Sequence, residues 1–125
     1  MNPTPKKILL VDDSNTVLMM HRMLLHGQPY ELLFARDGRE AVEKAVANKP
    51  DLIFMDVMMP KLSGMDACRE LRTHQETAGT PILLVTTRGE PHNVEAGYQA
   101  GCTEYITKPF DSAELLAKVR HYLGA

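Results

Sequence analysis

The sequence predicts an α/β fold, a doubly wound parallel sheet with helices on both faces, and three observations carry the prediction. Short apolar runs begin at Lys7 (KILLV), Tyr30 (YELLFA), Leu52 (LIFM), Ile82 (ILLVT) and Glu104 (EYIT), at nearly even spacing. Stretches with helical punctuation separate them, which is the pattern of a chain of βαβ units. The runs are continuously apolar rather than alternating, as strands are when helices cover both faces of a sheet. The 125 residues accommodate five such units in one domain spanning 1–125, with no linker, repeat or low-complexity segment.

Composition narrows the class of function. Fourteen basic against 16 acidic residues leave a net charge of −2, and 44% hydrophobic with 24% charged residues is the balance of a chain with a packed core. A pI near 6.2 argues against nucleic acid as a direct ligand, which calls for a basic stripe. No apolar run reaches the roughly 18 residues that a membrane span needs. The run after Lys7 meets Asp12 too soon for a signal peptide, so a cytoplasmic protein without a membrane partner is expected. Cys68 and Cys102, with no C-x-x-C pair, read as reduced thiols.

The helices follow in order. In the first, Val17, Met20 and Leu24 define the expected core stripe, while Leu18 and Leu25 lie about 100° around the wheel and Met19 almost opposite. That leaves apolar surface over, either scattered exposure of the ordinary kind or a docking patch for a partner helix. Asp37-Gly38-Arg39-Glu40 and Asp111-Ser112-Ala113-Glu114 resemble capping boxes that open the second and fifth helices. These carry apolar stripes at Ala41, Val42, Ala45 and Val46, and at Leu115, Leu116, Val119 and Leu123. Asn48-Lys49-Pro50 and Gly79-Thr80-Pro81 are expected to end helices before strands three and four. Pro91 suits the first turn of the fourth helix, which Gly97 and Gly101 should make the least stable.

Ligands of doubly wound sheets bind beyond the carboxyl ends of the strands. Strand one ends in Asp12-Asp13, strand three in Asp56, strand four in Thr86-Thr87 and strand five in Thr107-Lys108-Pro109, while strand two ends in Ala35 and adds nothing obvious. Carboxylates brought together repel, and one would take up a proton unless a cation intervened. An all-oxygen set favours Mg²⁺, with Mn²⁺ as a substitute, over Zn²⁺. Lys108 offers a point charge and Thr86 a neutral donor, a cradle for a tetrahedral anion beside a carboxylate nucleophile.

Asp12-Asp13, Asp56 followed by Met59-Pro60 and Gly64, Thr86, and Lys108-Pro109-Phe110 together resemble the receiver domain of two-component response regulators, over essentially the whole chain. The resemblance implies a flavodoxin-like sheet of order 2-1-3-4-5 with five helices. It implies that Asp56 accepts a phosphoryl group from a sensor histidine kinase or phosphotransfer protein. Asp13 would bind Mg²⁺ directly, Asp12 mainly through water, with Asp56 and the Met58 backbone carbonyl completing the protein's share. Lys108 and Thr86 would hold phosphoryl oxygens, and Tyr105 would rotate inward as Thr86 moves. The surface of helix four, strand five and helix five would then switch a downstream effector, or an effector domain absent from this chain. A phosphoacceptor of this kind is not a turnover enzyme.

Departures from the family pattern carry expectations of their own. Thr87 stands beside the phosphoryl site where the family usually has Ala, Gly or Ser, and its methyl would crowd an attacking water. Met58 cannot orient such a water and Arg88 could cover the group, so slow self-dephosphorylation is expected unless these are merely tolerated loop residues. Leu18, on the leftover flank of helix one, is the expected contact for the phosphodonor's helical bundle. Two competing readings remain: a haloacid-dehalogenase-type phosphohydrolase, disfavoured because Asp12 is followed at plus two by Ser14, and a receiver-like module that no longer accepts phosphate.

Overall fold

Five parallel strands form one sheet in the order β2-β1-β3-β4-β5: β1 (Lys6–Val11), β2 (Tyr30–Ala35), β3 (Leu52–Asp56), β4 (Ile82–Thr87) and β5 (Glu104–Lys108). The helices are α1 (Asn15–Leu24), α2 (Gly38–Asn48), α3 (Gly64–Leu71), α4 (Val94–Gln99) and α5 (Ser112–Leu123). The computed structural model describes residues 5–59, 61–87, 94–108 and 112–124, with Thr87, Lys108 and Ser112 described through their backbone. The predicted strand positions, order and helix number all hold. The expected roles of Pro91 and Asp111 in starting helices fall outside the described residues.

The continuous apolar runs are explained by two cores, one on each side of the sheet. Leu9, Val11, Ile53, Met55, Ile82 and Leu84 face α2 and α3 and pack on Ala41, Val42, Ala45, Ala67, Cys68 and Leu71. Their neighbours Ile8, Leu10, Leu52, Phe54, Leu83 and Val85 face the other way, onto Leu18, Leu25, Leu115 and Val119 of the α1 and α5 side. Strand side chains alternate between faces, so a strand covered on both must be apolar at every position. Cys68 and Cys102 are free and buried as expected, and burial pushes the Cys68 thiol up to about 11, which keeps it unreactive.

Local chemistry sets the helix ends. Asp37 caps α2 by accepting the Glu40 N–H at 2.8 Å, and that bond holds its carboxyl below the usual range. The Glu40 carboxylate reaches back to the Arg36 N–H at 2.8 Å, one residue beyond the usual capping box. Lys49 closes the helix with φ 51°, in the left-handed region. Between α5 and β5, Glu104 accepts hydrogen bonds from Lys118 and Tyr122.

Three expectations are corrected. First, α1 is rotated relative to the expected wheel: Leu18 is 7% exposed and Leu25 2%, whereas Met20 is 56% exposed, alongside Met19 and Met23. Leu18 therefore belongs to the core and cannot be a docking residue. With apolar residues nearly all round the helix, periodicity could not choose its inner face. Second, α3 ends at Leu71, well before Gly79-Thr80-Pro81. The chain between is folded into turns around Arg72, whose Nε donates to Gly101 O at 2.8 Å and whose Nη1 donates to the carbonyls of Thr77, Ala78 and Thr80 at 3.1, 3.1 and 2.6 Å. Third, Gly101 lies beyond the last turn of α4, with φ 103°, where it ends the helix instead of weakening its interior.

Arg72 thus joins the α3–β4 turns to the α4–β5 turn, and its removal leaves several carbonyls unsatisfied. Arg72→Met is expected to destabilise the fold by about 2–3 kcal/mol, read as a lower urea midpoint.

Candidate metal and phosphoryl site

Strand register brings the sequence-predicted residues to one edge of the sheet. Val11 is paired with Met55, Asp56 with Val85, Thr86 with Thr107 and Thr87 with Lys108, so the carboxyl ends of β1, β3, β4 and β5 are level. Asp12 and Asp13 follow directly on β1. Ala35 has a part that its side chain does not reveal: its carbonyl accepts the Asp12 N–H at 3.1 Å and fixes the chain as it leaves the sheet.

Each acid is held differently. Asp12 is 3% exposed, and its Oδ1 accepts the Ser14 N–H at 2.9 Å. That bond makes an Asx turn whose third residue, Ser14, caps α1 by accepting the Val17 N–H at 3.3 Å. Sequence reading missed Ser14, although a serine just ahead of an apolar helix is a recognisable N-cap. Asp13 is exposed. Asp56, 6% exposed, is the last residue of β3. Beyond it, Val57 donates to Val85 O at 3.0 Å and accepts from the Gly64 N–H at 2.9 Å. A Cβ on Gly64 would lie 2.1 Å from the Asp56 carbonyl oxygen, so only glycine lets the start of α3 close on this loop.

One carboxylate oxygen from each of Asp12, Asp13 and Asp56 lies within 4.8 Å of the others. Like charges at such separations repel by on the order of 3 kcal/mol per pair at an effective dielectric of 20, and less where water screens Asp13. The donor set is hard, all oxygen and open on one side, which fits a divalent cation that keeps some of its waters. Met58 has an exposed side chain ending in a soft thioether, so the hard ligand it can offer is its backbone carbonyl. Thr86 is fully buried at the edge beside Asp56, and Lys108 and Thr87 reach the same edge by register. Tyr105 packs its ring against the α2–α4 side of the core, with its hydroxyl buried. Leu18 is remote from this set, in the opposite core. Arg88 and Pro109 lie outside the described residues.

Comparison with known proteins agrees with this geometry. A sequence profile of the response regulator receiver domain matches residues 8–120. The chain is 41% identical over 118 residues to the alkaline phosphatase synthesis transcriptional regulatory protein PhoP of Bacillus subtilis, covering 94% of this chain and 48% of that protein. It spans about half the length of the curated relatives it matches. Among solved structures, chemotaxis protein CheY4 of Vibrio cholerae superposes with a TM-score of 0.87 at 35% identity, covering 96% of this chain and all of that one. The receiver domain of sensor histidine kinase PA1611 from Pseudomonas aeruginosa, solved with a magnesium ion in its active-site cleft, gives 0.87 at 31% identity and covers 98% of this chain and all of that one. With the acidic cluster, the strand order and a profile match over nearly its whole length in agreement, the chain belongs to the response regulator receiver domain family.

Proposed function

We propose that residues 1–125 form one receiver module in which Asp56 is the phosphoacceptor. The observation that carries this reading is the convergence of Asp12, Asp13 and Asp56 within 4.8 Å at the carboxyl edge of the sheet. An Asp56 carboxylate oxygen forms a bond to phosphorus as the phosphorus–nitrogen bond of a phosphohistidine breaks and the imidazole leaves. A divalent cation, Mg²⁺ or Mn²⁺ in its place, would supply Lewis-acid charge neutralisation for this in-line transfer. Asp13 would hold it directly, Asp12 would support it mainly through water, and Asp56 and the Met58 carbonyl would complete the protein's share. Ser14 keeps Asp12 aimed, and Gly64 lets the β3–α3 loop close behind Asp56.

The new group adds about −1.5 to −2 charges. Lys108 pairs with one of its oxygens and the Thr86 hydroxyl donates to another, with Thr87 alongside. Thr86 is buried, so satisfying the phosphoryl group draws on residues packed under β5 and α4. The α4–β5–α5 surface changes in consequence, and a few charge-assisted hydrogen bonds at about 1.5–3 kcal/mol each are enough to shift a two-state balance. The chain acts as a phosphoacceptor rather than a turnover enzyme, and its output passes to a protein effector or an effector domain outside this sequence.

The phosphodonor is a sensor histidine kinase or phosphotransfer protein, which we place on the exposed flank of α1 formed by Met19, Met20 and Met23. Flexible thioethers suit a surface that must adapt to a helical partner. The near-neutral charge supports a module that makes no nucleic-acid contact of its own. No described helix is long and apolar enough to cross a membrane, and a cytoplasmic location accords with the proposed donor.

Incubation with acetyl phosphate and Mg²⁺ is expected to add one phosphoryl group by intact mass. Asp56→Asn or removal of the metal with EDTA should abolish the addition. Multiple turnover on phosphomonoesters would instead favour a phosphohydrolase, and no incorporation would favour a module that has lost phosphoacceptance. The same phosphoprotein should lose its group slowly, and Met58→Asn with Thr87→Ala should speed the loss. With a cognate kinase, Met20→Asp should slow phosphotransfer about tenfold while leaving acetyl phosphate unaffected; equal loss with both donors would place the damage in the site.

A further inference from the structure

Tyr105 lies at the meeting of β5 and α4, and two features of its setting bear on how the switch is poised. The first is steric. A Cβ placed on Gly97, which is buried in α4, would come 2.5 Å from Tyr105 Cδ2 and 3.0 Å from Cε2. The ring therefore occupies the volume that the first side-chain carbon of any other residue would take. The second is polar. The Tyr105 hydroxyl is buried and has no hydrogen-bond partner among the described residues, a state that costs free energy because the group has left water without compensation. The inward ring is thus favoured by packing and opposed by its own hydroxyl.

Tyr105 also connects to the site through the sheet. Leu84 is paired with Tyr105 and Thr86 with Thr107, which makes Thr86 and Tyr105 diagonal neighbours on one face of the β4–β5 pair. On the α4 side, Gly97 accepts the Cys102 N–H at 3.2 Å, so the backbone against which the ring rests is tied to the turn that leads into β5.

We propose that Gly97 is a positioning residue for phosphoryl acceptance. Its missing side chain makes the seat for the inward Tyr105 ring, and the buried hydroxyl keeps that seat shallow. Together they set the fraction of molecules already inward before phosphorylation, and hence how readily Thr86 can engage a phosphoryl oxygen. This deepens the proposed function and rests on it for the link to Thr86. The seat itself rests only on the packing of Gly97 against Tyr105.

The two features act in opposite directions and can be separated by substitution. Four proteins are compared: the unaltered chain, Gly97→Ala, Tyr105→Phe, and Gly97→Ala with Tyr105→Ala. Solvent accessibility of the residue-105 ring is read by NMR with a soluble paramagnetic probe, and affinity for beryllofluoride with Mg²⁺ by titration. In Gly97→Ala the ring should become accessible and the affinity fall at least threefold. In Tyr105→Phe the ring should stay buried and the affinity rise about threefold, because the hydroxyl that opposed the seat is gone. The double variant should bind better than Gly97→Ala alone, since no ring remains to be displaced. A ring still buried in Gly97→Ala overturns the seat, and a ring that moves without a change in affinity overturns the coupling to Thr86. A double variant as weak as Gly97→Ala would mean that the alanine damages α4 itself, and also overturns the proposal. If the unaltered chain fails to bind beryllofluoride, the phosphoacceptor reading falls, while ring accessibility still decides whether Gly97 seats Tyr105.

Discussion

Asp12, Asp13 and Asp56 stand close enough to repel, and the rest of the structure is arranged so that the two buried acids, Asp12 and Asp56, cannot move apart. Asp56 is the last residue of a fully buried strand, and Asp12 is one residue past the strand beside it. The Ala35 carbonyl and the Ser14 N–H hold Asp12 from either side, and Gly64 closes the loop beyond Asp56. The two apolar cores supply the free energy that sets these backbones rigidly, so the repulsion is retained as a demand for positive charge. On the proposed reading a cation would answer that demand and a phosphoryl group joined to Asp56 would renew it, which gives Lys108 and Thr86 their part at the same edge.

The consequences run outward from that edge along β4 and β5. Thr86 is buried, so it cannot serve a new anion without disturbing what packs on it. Tyr105 is its diagonal neighbour, and Gly97 is what Tyr105 packs on. Among the described residues α4 runs from Val94 to Gln99, and Gly101 ends it. A helix resting on an aromatic ring through a bare glycine is an element that can yield at low cost. The opposite end of β5 is tied down instead: Glu104 accepts hydrogen bonds from Lys118 and Tyr122 of α5. Of the causes acting on the Glu104 carboxyl, burial is the largest and raises it, but the bonds from Lys118 and Tyr122 together prevail and hold it below its usual range.

Legibility in the sequence followed the physics of each element. The strands could be read because burial on both faces makes every position apolar, and the four acidic and basic site residues could be read because they end those strands. The phase of α1 could not, since leucines and methionines surround it and only the packed sheet selects Leu18 over Met20. The end of α3 could not either. Gly79-Thr80-Pro81 resembles a helix stop, but the turns before it depend on one arginine reaching carbonyls of Thr77, Ala78 and Thr80 and, across the fold, Gly101. Gly97 looked like a weak point in a helix until the ring beside it was placed. Contacts between distant segments carry no local pattern, and these three features are all of that kind.

On this reading the carboxylate cluster is strained by its own charge and would be relieved by a divalent cation. Thermal unfolding at low ionic strength, with and without Mg²⁺, tests it most directly when the unaltered chain is compared with Asp56→Asn. Asp56→Asn is expected to unfold about 3–6 °C higher than the unaltered chain in EDTA, and Mg²⁺ to raise the midpoint of the unaltered chain by a similar amount while barely moving that of the variant. A variant that is less stable in EDTA yet gains as much from Mg²⁺ as the unaltered chain would contradict it.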